Sequence, residues 1–163
     1  MFTMMSYHSS QQPSGAEYKI QTLLIYNFTK YVKWTSSSSN DFTIAVYGNS
    51  QIVSYLNQLK ISKQVNGKNI NVKVVNPGDK LPKCDLLYID DQFIHQAEDQ
   101  FNKGTLFNIL VVTNTTPIPM KLSCINLKIV DDNYKFEINN SNTSINNLEV
   151  SSALLNLAVK VYR

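Results

Sequence analysis

Glycine is scarce in this 163-residue chain, with five residues, and charged residues make up only 17% of it. The glycine that follows the first apolar strand, Gly48, has no companions, so neither a G-x-G-x-x-G turn nor a P-loop is available to cradle a phosphate. No serine sits in a G-x-S-x-G elbow. Histidine is reduced to His8, in the N-terminal stretch, and His95, on an expected surface helix, and neither has an evident catalytic partner. The two cysteines, Cys84 and Cys124, lack His or Cys neighbours at ligand spacing, which argues against a zinc site. No apolar run approaches the roughly eighteen residues that span a bilayer, so direct membrane insertion is not expected. The net charge of +3 is mild and the basic residues are dispersed without a block, which excludes an obvious nucleic-acid footprint. The expectation is therefore no catalytic residue, no metal and no cofactor.

Polarity comes instead from Asn, Ser and Thr, and the length suits one domain with a full core. Residues 1–15, with three Met and neither a basic start nor a continuous apolar segment, read as a disordered or appended tail and not as a signal peptide. Residues 16–163 read as a single α/β domain.

Glu17–Trp34 organises the rest. It holds no Gly or Pro, and Ile20, Leu23, Leu24, Phe28, Tyr31 and Trp34 recur three and four apart, which predicts one helix with a wide apolar stripe. Such a helix lies across a sheet, or leaves part of its aromatic face for a partner. A polar loop then leads to a strand at Phe42–Tyr47, a helix at Gln51–Leu59, a turn at Asn66-Gly67 and a strand at Ile70–Val75. Strands follow at Asp85–Ile89 and Ile109–Thr113, separated by a helix near Gln92–Asn102 that Gly104 is placed to cap. Ile125–Val130 and Tyr134–Asn139 flank Asp131-Asp132-Asn133 as a β-hairpin, and Ser151–Arg163, striped by Leu154, Leu157, Ala158 and Val161, reads as a final helix.

Short apolar strands alternating with helices indicate an α/β fold, a mostly parallel sheet covered by helices on both faces in a Rossmann-like three-layer arrangement, with the antiparallel hairpin closing one edge. The Ile109–Thr113 strand should separate the two cysteines, too far for a disulfide, and free thiols are expected. In such a sheet ligands favour the crevice at the strand ends, here Gly48, Asn49, Ser50, Asp90, Asp91, Thr113 and Asn114. Asp90 or Asp91 with Thr113 and Lys128 echoes a phosphoacceptor receiver, but the acidic pair that would hold Mg²⁺ is replaced by Gly48-Asn49-Ser50.

Five segments, in order, carry a resemblance. They are Glu17-Tyr18-Lys19 with Leu24-Ile25-Tyr26-Asn27-Phe28-Thr29-Lys30-Tyr31-Val32-Lys33-Trp34, then Phe42–Gly48, Cys84–Ile89, Lys135-Phe136-Glu137-Ile138-Asn139, and Ser151-Ser152 with Leu154-Leu155 and Leu157-Ala158. Together they resemble the YfiR-like family over nearly the whole domain. The chain departs from it in the Asn-, Ser- and Thr-rich Asn140–Asn147, in Leu122-Ser123 where a Gly-Gly is common, and in its cysteine pairing.

The resemblance implies a small exported, periplasmic domain without catalysis. It implies a homodimer that contacts a protein partner in the cell envelope, such as a membrane signalling protein of the diguanylate cyclase kind, and it leaves room for small-ligand sensing. Tyr26, Asn27, Lys30, Tyr31, Trp34, Glu137, Asn139, Ser151 and Ser152 are the candidate partner- or ligand-binding residues. A buried Glu137 needs a donor, and Ser151 or Ser152 can cap the last helix, whose N–H groups could instead hold an anion. The rival readings are a receiver-like or other α/β enzyme domain using Asp90 or Asp91, and a structural accessory module of an envelope complex.

Overall fold

A computed structural model describes residues 12–36, 39–102 and 105–163. His8, residues 1–11 of the expected tail and the expected cap Gly104 lie outside the described residues. Helix α1, Gly15–Phe28, starts with a capping box: the Ser14 hydroxyl accepts the Glu17 N–H while the Glu17 carboxylate accepts the Ser14 N–H.

The helix ends at Phe28 and does not run to Trp34. The Thr29 hydroxyl donates to the Tyr26 carbonyl at 2.6 Å, and the N–H groups of Thr29, Lys30 and Tyr31 each bond three residues back. That side-chain competition tightens and closes the last turn, and the chain leaves as strand β1, Val32–Trp34.

The buried face of α1 is Tyr18, Gln21, Thr22, Ile25 and Phe28, one helical stripe containing two polar residues. Of the expected stripe only Phe28 is buried, against Phe136 edge to face at 5.1 Å, and Leu24 is partly covered. Ile20 and Leu23 stay 44% and 48% exposed.

The other strands, in chain order, are β2 (Asp41–Tyr47), β3 (Gln64–Val65), β4 (Lys68–Val75), β5 (Leu86–Ile89), β6 (Leu110–Thr113), β7 (Ile125–Val130), β8 (Asn133–Asn139), β9 (Leu148–Val150) and β10 (Lys160–Tyr162). Helix α2 is Ile52–Ser62, α3 is Ile94–Gln100 after a 3-10 turn at Asp91–Phe93, α4 is Asn140–Ile145 and α5 is Ser152–Leu157. Eight strands form one mostly parallel sheet in the order β10-β8-β7-β6-β5-β2-β4-β3, and β1 pairs antiparallel with β9 beside it. Both hairpin turns obey their sequences. Asn66-Gly67 and Asp131-Asp132 hold positive φ at both central positions, the twist that a two-residue hairpin needs.

Two expectations change at the C-terminal end. The hairpin β7–β8 is not the edge, because β10 adds outside it, parallel to β8 with Val161 opposite Ile138. The final helix is only α5; Ala158 turns extended, Leu157 is left 65% exposed, and the last residues become that strand.

Strand β6 does lie between β5 and β7. Cys84 and Cys124 are both free and buried, and burial pushes each thiol up to about 12. Gly48, at the end of β2, has φ +81°, and a Cβ there would stand 2.4 Å from the Phe93 ring.

Candidate functional site

The strand-end crevice is occupied by the chain's own first helix. Asp90, 1% exposed, follows β5 and takes the Tyr18 hydroxyl at 2.7 Å and the Ser50 hydroxyl at 2.6 Å on one oxygen. Its other oxygen takes the Asn114 amide at 2.9 Å and the Asp91 N–H at 3.0 Å. One turn along α1, the Gln21 carbonyl accepts the Tyr88 hydroxyl at 2.7 Å and its amide donates to the Tyr134 hydroxyl at 3.1 Å.

Burial and the Asp90 carboxylate raise the Tyr18 hydroxyl far above its ordinary value, and burial does the same to Tyr88. Both therefore stay protonated donors at neutral pH. Thr113 turns the other way, hydrogen-bonded to Ser123 and Asn126 at 2.8 and 2.7 Å. Lys128 is held at 3.1 Å by Glu137. The receiver-like set is thus dispersed: Asp90 has four donors and Lys128 its own carboxylate.

The predicted partner-binding residues divide into two groups. Glu137 and Asn139 belong to the body of the sheet. Buried Glu137 accepts from Lys128, from the Asn126 amide at 3.2 Å and from the Tyr162 hydroxyl at 3.3 Å, so it has the donors its burial requires. It thereby ties β7, β8 and β10 together. The Asn139 side chain caps α4 by accepting the Asn142 N–H at 3.1 Å.

The remaining residues meet at the corner where α1 turns into β1. Lys30 donates to Asn27 at 3.0 Å and rests over the Tyr26 ring at 4.7 Å, while the Tyr26 hydroxyl reaches the Gln64 carbonyl at 3.3 Å. Tyr31 is 40% exposed, and its carbonyl accepts the Ser151 N–H at 2.9 Å. Ser151 caps α5 by accepting the Leu154 N–H; Ser152 is the first, exposed residue of that short helix. Trp34 donates its indole N–H to the Asp85 carbonyl at 2.9 Å and stands edge-on to Phe42, ring centroids 5.1 Å apart.

Two clefts open on this corner. One, of about 300 Å³, lies over Trp34 and Phe42 with Lys30, Lys33, Lys68 and Asp85 around it. The other, of about 310 Å³, lies between Tyr31, Lys33, Glu149 and Ser151. Among the described residues the corner is the place where exposed aromatic, basic and hydrogen-bonding groups of the predicted set come together.

Sequence reasoning missed Tyr18, Gln21 and Tyr134, whereas Asn114 lies in the crevice as expected. The available signal was the spacing Tyr18, Gln21, Thr22, Ile25, Phe28, a helical face as regular as the apolar one but partly polar.

No curated protein matches the chain. No helix among the described residues is long and apolar enough to cross a membrane. A family model does match, described as YfiR/HmsC-like and aligned to residues 18–159, from the tyrosine that closes the crevice to the residue before β10. Matched over residues 18–159 of its 163, the chain belongs to the YfiR/HmsC-like family.

Proposed function

We propose that this protein is a periplasmic, non-enzymatic regulatory domain that acts by protein contact through the α1–β1 corner. The observation that carries the reading is the gathering of Tyr26, Asn27, Lys30, Tyr31, Trp34 and Ser151 at one exposed place, while the strand-end crevice is filled by Tyr18 and Gln21. Tyr and Trp suit such a contact because each buries a large ring and keeps a polar tip. The partner is a protein of the cell envelope, a membrane signalling protein by family analogy, and the domain works as a homodimer.

The cleft over Trp34 is the place for small-ligand sensing, since it joins an aromatic floor to three lysines. The three-layer, Rossmann-like arrangement with helices on both faces belongs to the same reading, supported by β5 and β6 being buried at every position.

The test compares wild type with Lys30→Glu, Tyr31→Ala and an Asn49→Ala control at the exposed crevice rim, each checked for native circular dichroism. Light scattering reads self-association, and envelope-extract capture reads the partner. The corner variants should lose one or both while Asn49→Ala keeps them. Loss confined to Asn49→Ala would move the working surface back to the crevice.

A further inference from the structure

Among the described residues, most of the outer side of β4 is left without a partner strand. Strand β4 pairs with β2 along Asn69–Val75, but on its outer side β3 covers only Lys68 and Asn69. The Val75 carbonyl accepts the Gly48 N–H at 2.8 Å, so Val75 points its backbone groups toward β2. Because those groups alternate sides along a strand, Asn71 and Lys73 point inward with it. Val72 and Val74 then turn their N–H and C=O to the open side, where no described strand meets them. Val74 is 48% exposed, and a cleft of about 360 Å³ beside it is lined by Lys73, Asp79 and Lys80.

Charge identifies what such an edge takes. Residues 51–83 hold six of the fifteen basic residues, Lys60, Lys63, Lys68, Lys73, Lys80 and Lys83, and one of the twelve acidic ones, Asp79. The rest of the chain is net acidic. One lysine on an edge suffices to discourage strand pairing between copies. Lys73 and Lys80, which line the cleft itself, repel a second copy of the same edge and attract a chain of opposite sign.

We propose that β4 is a docking edge for an extended acidic segment of a partner protein. The segment adds as a strand through the backbone groups of Val72 and Val74, with its carboxylates beside Lys73 and Lys80. The inference stands whether or not the α1–β1 corner is the regulatory contact, since Val72, Lys73, Val74 and Lys80 line neither corner cleft and the Val72 and Val74 amides report on this edge alone.

The experiment titrates the full ¹⁵N-labelled chain with an eight-residue peptide alternating Glu and Val. The expected result is salt-sensitive binding with shifts and slowed exchange at the Val72 and Val74 amides. The affinity should fall at least about tenfold in Lys73→Glu/Lys80→Glu, and binding should vanish for the same peptide methylated on alternate backbone nitrogens. The methylated peptide keeps the test independent of whether any variant folds. Equal binding of the methylated peptide overturns the proposal, as does no binding of the parent peptide. Anionic phospholipid vesicles or polyphosphate that compete without touching the Val72 and Val74 amides would make the edge a general anion patch and also overturn it. Self-association abolished by Val72→Pro would assign the edge to a second copy and do the same.

Discussion

Tyr18→Phe is the most informative single change, because it removes one oxygen from the contact that seals the crevice. The hydroxyl donates at 2.7 Å to a carboxylate oxygen of Asp90, and both residues are 1% exposed. A hydrogen bond to a charged group contributes about 1.5–3 kcal/mol. Asp90 retains the Ser50 hydroxyl, the Asn114 amide and the Asp91 N–H, so the loss should stay within that range and not reach the cost of an unpaired buried charge. For a chain of this size that corresponds to a fall in Tm of roughly 3–12 °C.

The same residue has a pH signature. Tyr18, Tyr47, Tyr88 and Tyr134 all have hydroxyls raised above the ordinary value of 10.0, chiefly by burial. Their contribution is fully present below pH 10 and is lost as pH rises toward the folded values, since the unfolded chain releases those protons first. Tyr18→Phe removes one such proton, so its stability above pH 10 should fall less steeply, by up to about 1.4 kcal/mol per pH unit. Urea unfolding of both proteins between pH 7 and 11, with tyrosinate absorbance followed in parallel, provides the readout. A neutral Tyr18→Phe at pH 7, or identical alkaline slopes, would show that the α1 plug is not held as described.

Phe28→Ala, which empties a buried site against Phe136, should cost about 3–5 kcal/mol in urea unfolding; a near-neutral effect would remove Phe28 from the core. Gly48→Ala should cost at least about 1–2 kcal/mol for its left-handed backbone, and more for displacing Phe93, whereas an unchanged urea midpoint would contradict the close approach. Cys84 and Cys124, buried with thiols pushed up to about 12, should react with a disulfide reagent at pH 8 only after guanidinium is added. Prompt modification of the native protein would contradict the burial of the thiols, and a Cys84–Cys124 bridge in non-reducing peptide maps would overturn the strand order β5-β6-β7.

The parts of the fold legible in the sequence are those where local chemistry and tertiary demand agree. Asn66-Gly67 and Asp131-Asp132 announce their turns because those residue types tolerate positive φ, and β2, β5 and β6 announce themselves as short apolar runs between polar breaks. Where they disagree, pattern misleads. The end of α1 is set by Thr29 bonding back to Tyr26, which hydrophobic periodicity does not register. Its inner face carries Gln21 because that amide has partners waiting on β5 and β8, so the apolar stripe points partly outward.

The last residues fit a helical stripe as well as a strand, and pairing with β8 decides between them. Helix α4 forms from poor helix formers because Asn139 caps it and Asn142 donates to the Met120 and Ser123 carbonyls at 2.9 and 2.8 Å. Of the candidate residues, those around Tyr26–Trp34 lie together at the corner, while Glu137 and Asn139 lie within the sheet, where their hydrogen bonds tie strands and cap α4.

The central claim is that contact with a partner runs through the α1–β1 corner. A photo-cross-linking amino acid placed at Tyr31, with the exposed His95 on α3 as the control position, tests it in the intact cell envelope. Irradiation should yield a discrete higher-mass adduct from position 31 and none from position 95. An adduct from position 95 alone would contradict the account.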